Sequence, residues 1–153
     1  MKKEVKINEM KDLAEEFLSL IFPKNTATII GLKGNLGAGK TTFTQSLAQV
    51  LNIEEKINSP TFVIEKIYEI SGNENFDKLI HIDAYRLESG KELEALNWNE
   101  IFVDPKNLIL LEWPEKVKDI LPENLPTIIF EVVDENSRQV EFKNFSASMP
   151  TQK

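Results

Sequence analysis

The chain has 153 residues, a net charge of −7 and a pI near 4.9, with 41% apolar and 28% charged residues. That is core enough for one globular domain, and an acidic chain is a poor candidate for gripping nucleic acid by its own field. The absence of cysteine and the single histidine, His81, exclude disulfides, thiolate nucleophiles, Cys-ligated zinc and multi-His metal sites.

The opening MKKEVKINEMKD has no apolar signal-peptide core, and no apolar run approaches the ~20 residues that cross a bilayer. The expected location is cytoplasmic, with no membrane partner. Residues Asn8 to Phe22 place Met10, Leu13, Ala14, Phe17, Leu18 and Ile21 on one helical face, with Asn8 as N-cap. Thr26 to Lys33 is β-branched and apolar, a buried strand. A glycine-rich stretch follows, then a helix over Thr41 to Leu51 with Phe43, Leu47 and Val50 inward. Thr61 to Ile70 and Lys78 to Ala84 read as strands joined by the turn Ser71-Gly72-Asn73-Glu74-Asn75.

Ser89-Gly90-Lys91-Glu92 has the form of a capping box opening a short helix towards Leu96. Leu108 to Glu112 is a short apolar strand. Thr127 to Asp134 and Gln139 to Phe145 form a closing hairpin around Glu135-Asn136-Ser137. The expected fold is α/β: a single P-loop NTPase domain over residues 1–146, with a mostly parallel central sheet, antiparallel hairpin additions and helices on both faces. Residues 147–153 read as a flexible tail.

Gly34-Asn35-Leu36-Gly37-Ala38-Gly39-Lys40-Thr41 fits G-x-x-x-x-G-K-[ST] at every constrained position. Glycines let the backbone wrap closely, so that successive N–H groups converge on one anion. The helix beginning near Lys40 adds its positive dipole end. Lys40 is expected to reach the β- and γ-phosphates of ATP, and the Thr41 hydroxyl to ligate Mg²⁺. The apolar strand before the motif and the amphipathic helix after it are the context the chemistry requires.

Such a loop needs a carboxylate from the end of a neighbouring strand. Asp83, closing Leu79-Ile80-His81-Ile82-Asp83, and Glu112, closing Leu108-Ile109-Leu110-Leu111-Glu112, both qualify. One serves Mg²⁺ and the other the attacking water or the metal's outer shell, in either order. His81 shares the face of Asp83 by alternation and reads as a structural, hydrogen-bonded histidine. Trp98 and Trp113 read as core or interface residues, with Trp113 adjoining Glu112. Of the eighteen Lys and Arg residues only Arg86 and Arg138 are arginine. Arg86 is placed to stabilise a transferred phosphoryl group, to dock a partner, or to sit on the surface.

Four blocks in order carry a resemblance to a known family. They are Gly34 to Thr42, Ser59-Pro60-Thr61-Phe62, His81-Ile82-Asp83-Ala84-Tyr85-Arg86-Leu87 and Glu112-Trp113-Pro114. In this order they resemble the TsaE (YjeE) family over about residues 8 to 143. The resemblance implies a P-loop ATPase required for threonylcarbamoyladenosine (t6A) formation at position 37 of tRNAs reading ANN codons. It implies action on a complex of TsaD and TsaB, and on tRNA only indirectly, with ATP and Mg²⁺ as cofactors.

Carried over by position, Lys40, Asp83 and Glu112 are the implied catalytic residues, and Thr41 and Glu112 the implied Mg²⁺ ligands. Asn35, Leu36, Gly37, Ala38, Gly39, Lys40, Thr41, Thr42, Asp83, Glu115 and Arg138 are the implied nucleotide contacts. Where the family carries an early threonine near the adenine, this chain has Met10 and Lys11.

Other classes fit less well. A small-molecule kinase, the chief alternative, clamps its anionic acceptor with several arginines, and two are few. A GTPase needs N-K-x-D and D-x-x-G segments, and neither occurs. A non-hydrolysing, ATP-gated assembly module is a further reading; both candidate acids are present, so hydrolysis is chemically possible, and phosphate release with and without the partner complex separates the two. Few groups are available to stabilise developing charge, so turnover by the isolated chain is expected to be slow.

Overall fold

The computed structural model describes residues 2–55 and 64–145, and within them the longest apolar runs become the centre of a seven-stranded sheet. In chain order the elements are β1 (Lys2–Lys6), a 3-10 turn (Ile7–Glu9), α1 (Met10–Ser19), β2 (Thr28–Lys33), α2 (Lys40–Val50), β3 (Glu65–Glu69) and β4 (Lys78–Asp83). Then come α3 (Lys91–Glu94), α4 (Trp98–Val103), β5 (Asn107–Glu112), a kinked 3-10 segment (Pro114–Ile120), β6 (Thr127–Asp134) and β7 (Ser137–Lys143). No helix of the described residues is long and apolar enough to cross a membrane.

The strands lie in the order β1-β7-β6-β2-β5-β4-β3. The central four, β6-β2-β5-β4, are parallel, while β1, β7 and β3 join antiparallel. The expectation of a mostly parallel sheet therefore holds for the centre alone, and the whole sheet is mixed. The added antiparallel partner is β1, which is not among the strands expected from the sequence. Its residues Lys2 to Lys6 bury only Val5, so it lacks the apolar signal of a strand. At a sheet edge lysines are tolerated and discourage pairing with another chain.

Alternation along the central strands sorts the core into two layers. Ile30, Leu32, Leu79, Leu108 and Leu110 face α1 and α2, meeting Phe17 and Phe43. Ile29, Ile80, Ile82, Ile109 and Leu111 face the other way, meeting Leu93, Trp98 and Val117. Helices on both faces are as expected. The buried spacing of Met10, Leu13, Ala14 and Phe17 in α1, and of Phe43, Thr44, Leu47 and Ala48 in α2, gives each helix its inward stripe.

Several boundaries differ from expectation. Helix α1 starts after Glu9, because Asn8 is held in the 3-10 turn where the Glu9 carboxylate accepts the Lys6 N–H at 3.0 Å. Helix α2 starts at Lys40 and ends in a Schellman motif. Asn52 adopts a left-handed φ of 60°, and Ile53 N donates to Ala48 O at 2.9 Å. Half of the expected capping box forms. Glu92 Oε1 accepts the Ser89 N–H at 3.4 Å and the Glu88 N–H at 2.7 Å, but Gly90 rather than Ser89 caps α3. The Gly90 N–H is taken by Asp119 at 2.9 Å, and a Cβ at Gly90 would lie 2.3 Å from Ile120.

The last hairpin is tighter than expected. Ser137 already pairs with Asp134, and Arg138 lies inside β7. The first part of the strand expected over Thr61 to Ile70, the Ser59-Pro60-Thr61-Phe62 block and the tail 147–153 lie outside the described residues.

Phe43 locks α2 to the sheet, with its ring 5.5 Å from Phe17 and 5.6 Å from Phe130. Phe43→Ala leaves a cavity under the first turns of α2 and is expected to cost about 3–5 kcal/mol, read as a lowered urea midpoint.

Candidate functional site

Strand register decides what meets at the top of the sheet. Asp83 pairs with Glu112 across β4 and β5, and Glu112 pairs with Leu32 across β5 and β2. The carboxyl ends of three parallel strands therefore share one level, where ligand sites of open α/β sheets are built. The glycine-rich loop leaves β2 at this level and α2 begins directly above it.

Two glycines show why the loop can take this path. A Cβ on Gly34, at φ +149°, would lie 2.7 Å from the Phe130 carbonyl oxygen, a clash with fixed backbone. Gly37, at φ +81°, has no atom within 4 Å of such a Cβ, so its side is open and its conformation alone demands glycine. Ala38 N donates to Asn35 O at 3.0 Å, closing the loop's turn. The first-turn N–H groups of α2, on Lys40, Thr41 and Thr42, have no intrahelical acceptors, and these three residues line the cavity above the loop.

Lys40 is 5% exposed, unusual for a lysine, and its ammonium is held from three sides. Nζ donates to Gly34 O at 2.5 Å, lies 3.8 Å from Glu112 Oε1 and stands 4.6 Å over the Trp113 ring. Trp113 can lie over it because its backbone is left-handed, φ 59° and ψ 53°, turning the chain sharply after Glu112. The other Glu112 oxygen, Oε2, lies 2.7 Å from His81 Nε2, and His81 is fully buried. The expectation of a structural, hydrogen-bonded His81 holds, and its partner is one of the candidate acids.

These groups border a cavity of about 260 Å³. Leu36, Gly37, Gly39, Lys40, Thr41, Thr42, Asp83, Glu112 and Arg138 line it, all anticipated from the sequence. Ile7, Ile64, Tyr85, Arg86 and Trp113 complete the wall. Asn35 is exposed and Ala38 is packed into the core, neither lining the cavity. Glu115 is not brought to the cavity; it is exposed and borders a different groove with Lys33 and Lys118.

Arg138 arrives from 101 residues away. Nη2 donates to Gly37 O at 3.2 Å and Nη1 to Asp134 O at 2.8 Å and Ser137 O at 2.9 Å, while buried Nε has no acceptor among the described residues. Tyr85 packs on Trp113 with ring centroids 5.0 Å apart, so an aromatic pair walls the side facing Lys40. The sequence reading did not assign that pair to the site. The available signal was Trp113 directly between a strand-ending acid and Pro114.

The donor set has a chemical direction. Unpaired helix amides, a buried ammonium and a guanidinium border one side, which suits a polyanion. The Thr41 hydroxyl and the Glu112 and Asp83 carboxylates are hard oxygen donors. Among the described residues no group of three or more His, Cys, Asp or Glu is arranged to hold a metal by itself. The oxygens therefore fit a small divalent cation that takes its remaining ligands from phosphate and water, as Mg²⁺ does.

The chain was compared with known proteins. The family model "Threonylcarbamoyl adenosine biosynthesis protein TsaE" matches residues 5–140. The tRNA threonylcarbamoyladenosine biosynthesis protein TsaE of Bacillus subtilis is 37% identical over 114 residues, covering 74% of this chain and 68% of its own length. Its namesake from Aquifex aeolicus is 35% identical over 145 residues, covering 90% of this chain and 93% of its own. The crystal structure of Bacillus subtilis YdiB superposes with a TM-score of 0.69 at 28% identity, over 97% of this chain and 88% of that one.

Asp83 is half-buried, and desolvation raises its pKa above the ordinary carboxylate value. The Tyr85 N–H bond opposes this, neighbouring Glu112 adds to the rise, and the Lys40 ammonium opposes it. The folded state thus binds this proton more tightly than the unfolded chain. Stability falls as pH rises through the carboxylate range, and the full penalty is present at neutral pH. Asp83→Asn cannot ionise and keeps an oxygen for Tyr85 N. Without nucleotide it is expected to melt above the wild type at neutral pH, the gain vanishing in acid, as read by thermal scans across pH.

Proposed function

This chain belongs to the TsaE family of threonylcarbamoyladenosine biosynthesis proteins, and from that footing we propose that it is a Mg²⁺-dependent ATPase. In this reading it serves t6A formation at position 37 of tRNAs reading ANN codons, by acting on a TsaD–TsaB complex. It works in the cytoplasm and meets tRNA only indirectly. The observation that carries the reading is the buried Lys40 ammonium beside an open, amide-lined loop, with two strand-end carboxylates bordering the same cavity.

Each residue has a task in this reading. The amides from Leu36 to Thr42 and the Lys40 ammonium hold the phosphate oxygens. Lys40 exchanges its bond to Gly34 O for one to phosphate, with no desolvation left to undergo because it is already buried. Thr41 and Glu112 would hold Mg²⁺, which supplies charge neutralisation at the phosphates. Asp83 is half-buried beside Glu112 and its raised pKa suits a group that accepts a proton from water. Arg138 clasps Gly37 O and so braces the loop from β7.

Little in this site is left to stabilise charge on the leaving phosphate. Arg138 already donates to three carbonyls, and among the described residues Arg86 is the other guanidinium lining the cavity. That supports slow turnover alone and stimulation by a partner. It also weighs against the kinase alternative, which needs a clamp for a second anionic substrate.

Lys40→Ala is expected to lower phosphate release by about 100-fold or more, in line with removal of a preorganised transition-state donor. It is also expected to abolish t6A formation in a reaction reconstituted with TsaD, TsaB and tRNA. Phosphate release measured with each component omitted checks both. A Lys40→Ala protein that fully supports modification would refute the assignment, and label passing from γ-labelled ATP to a metabolite would favour the kinase.

A further inference from the structure

We infer that His81 is a positioning residue: it donates a hydrogen bond that sets the orientation of the Glu112 carboxylate facing the cavity. The inference rests on the proposed reading of Glu112 as a Mg²⁺ ligand, and extends it to a residue that does not reach the cavity.

The geometry is set by the sheet. His81 pairs with Leu110 and Asp83 with Glu112, so His81 and Glu112 are diagonal neighbours on one face of the β4–β5 pair. A glutamate side chain has three torsions and would otherwise sample several orientations. Here its two oxygens are committed separately, Oε2 to His81 Nε2 at 2.7 Å and Oε1 towards Lys40 Nζ at 3.8 Å. The Glu112 side chain is 6% exposed, so water cannot substitute freely for either partner.

The tautomer follows from the neighbours. His81 Nδ1 is buried and has no partner among the described residues. A proton on Nδ1 would strand a buried donor and set Nε2 lone pair against carboxylate oxygen. A proton on Nε2 satisfies Glu112 and leaves only an acceptor unpaired, the cheaper fault. The ring thus gives its one protein hydrogen bond to Glu112.

A role in packing alone would be met by an apolar side chain, as at Ile80 and Ile82 on either side. Replacing a buried polar pair member by a well-packed apolar one is costly mainly for the partner left behind. That partner is Glu112, so the loss should appear at the metal. Hydrogen bonds behind a metal ligand commonly carry 10–100-fold in affinity.

The test uses the full chain and the fact that His81 is its one histidine. Ring-nitrogen NMR without nucleotide should show a single imidazole protonated at Nε2, with a ring proton that shifts in Glu112→Gln. In calorimetric titrations with ADP, His81→Leu should raise the half-saturating Mg²⁺ concentration about 10-fold, while ADP affinity without Mg²⁺ stays within about twofold. In ATP hydrolysis the same variant should lose kcat, with KM nearly unchanged. His81→Gln, whose amide nitrogen falls near the position of Nε2, should recover most of both.

A ring proton on Nδ1, an unchanged Mg²⁺ requirement in His81→Leu, or a glutamine variant as impaired as the leucine one would each overturn the inference. Should His81→Leu fail to fold, the ring-nitrogen spectrum and the glutamine variant decide. A wild type that takes up no Mg²⁺-nucleotide overturns the proposed function itself, whereas normal uptake with an indifferent His81→Leu overturns only the role of His81.

Discussion

Everything at the top of this molecule depends on the parallel register of β4, β5 and β2. Because Asp83, Glu112 and Leu32 stand at one level, the two acids and the root of the glycine-rich loop arrive side by side. A parallel sheet requires crossovers, and here the crossovers carry α2 to one face and α3 and α4 to the other. Those helices supply the two apolar layers that bury β2 and β5 almost completely. A shift of one residue between β4 and β5 would turn Asp83 away from Glu112 and send the side chains of Leu79, Ile80 and Ile82 into the opposite core layers. Core packing and site geometry are therefore the same constraint seen from two ends of the strands.

The site concentrates features that a protein built only for stability would avoid. A lysine and a glutamate lie almost fully buried within 3.8 Å of each other, a histidine is sealed behind them, and an aspartate is pushed towards protonation. Trp113 holds a left-handed backbone that costs of the order of 1 kcal/mol for a residue with a Cβ. In return its ring lies over Lys40 and Tyr85 packs behind it. Such departures are tolerated because the surrounding sheet over-determines them, and they gather fixed charges around one cavity.

Membership of the TsaE family connects these features to threonylcarbamoyladenosine biosynthesis. Relatives about 35–37% identical over most of their length agree with a solved structure that shares the architecture at a TM-score of 0.69. The blocks that carry the resemblance by sequence include the loop, the two strand-ending acids and the residues that follow each of them. Those are also the residues that the register gathers around one cavity, so the resemblance by sequence and the geometry converge on the same place.

Much of this was legible in one dimension. The strands β2, β4 and β5 are apolar runs ending in a loop or an acid, and α1 and α2 show helical stripes, so local pattern named them and the site's principal residues. Short-range chemistry also made His81 and Asp83 share a face. The charged strand β1 has no apolar signal, since an edge strand buries a single side chain and is defined by pairing alone. Glu115, three residues past Glu112, turns to another groove because the chain reverses at Trp113. Arg138 reaches the loop only through the β6–β7 pairing, a contact between residues 101 positions apart. Periodicity and motif spacing, being local, determined the elements and the class of chemistry. Which acid faces the buried lysine, which histidine stands behind it and which distant arginine braces the loop were decided by strand order and register, which exist only once the sheet has formed.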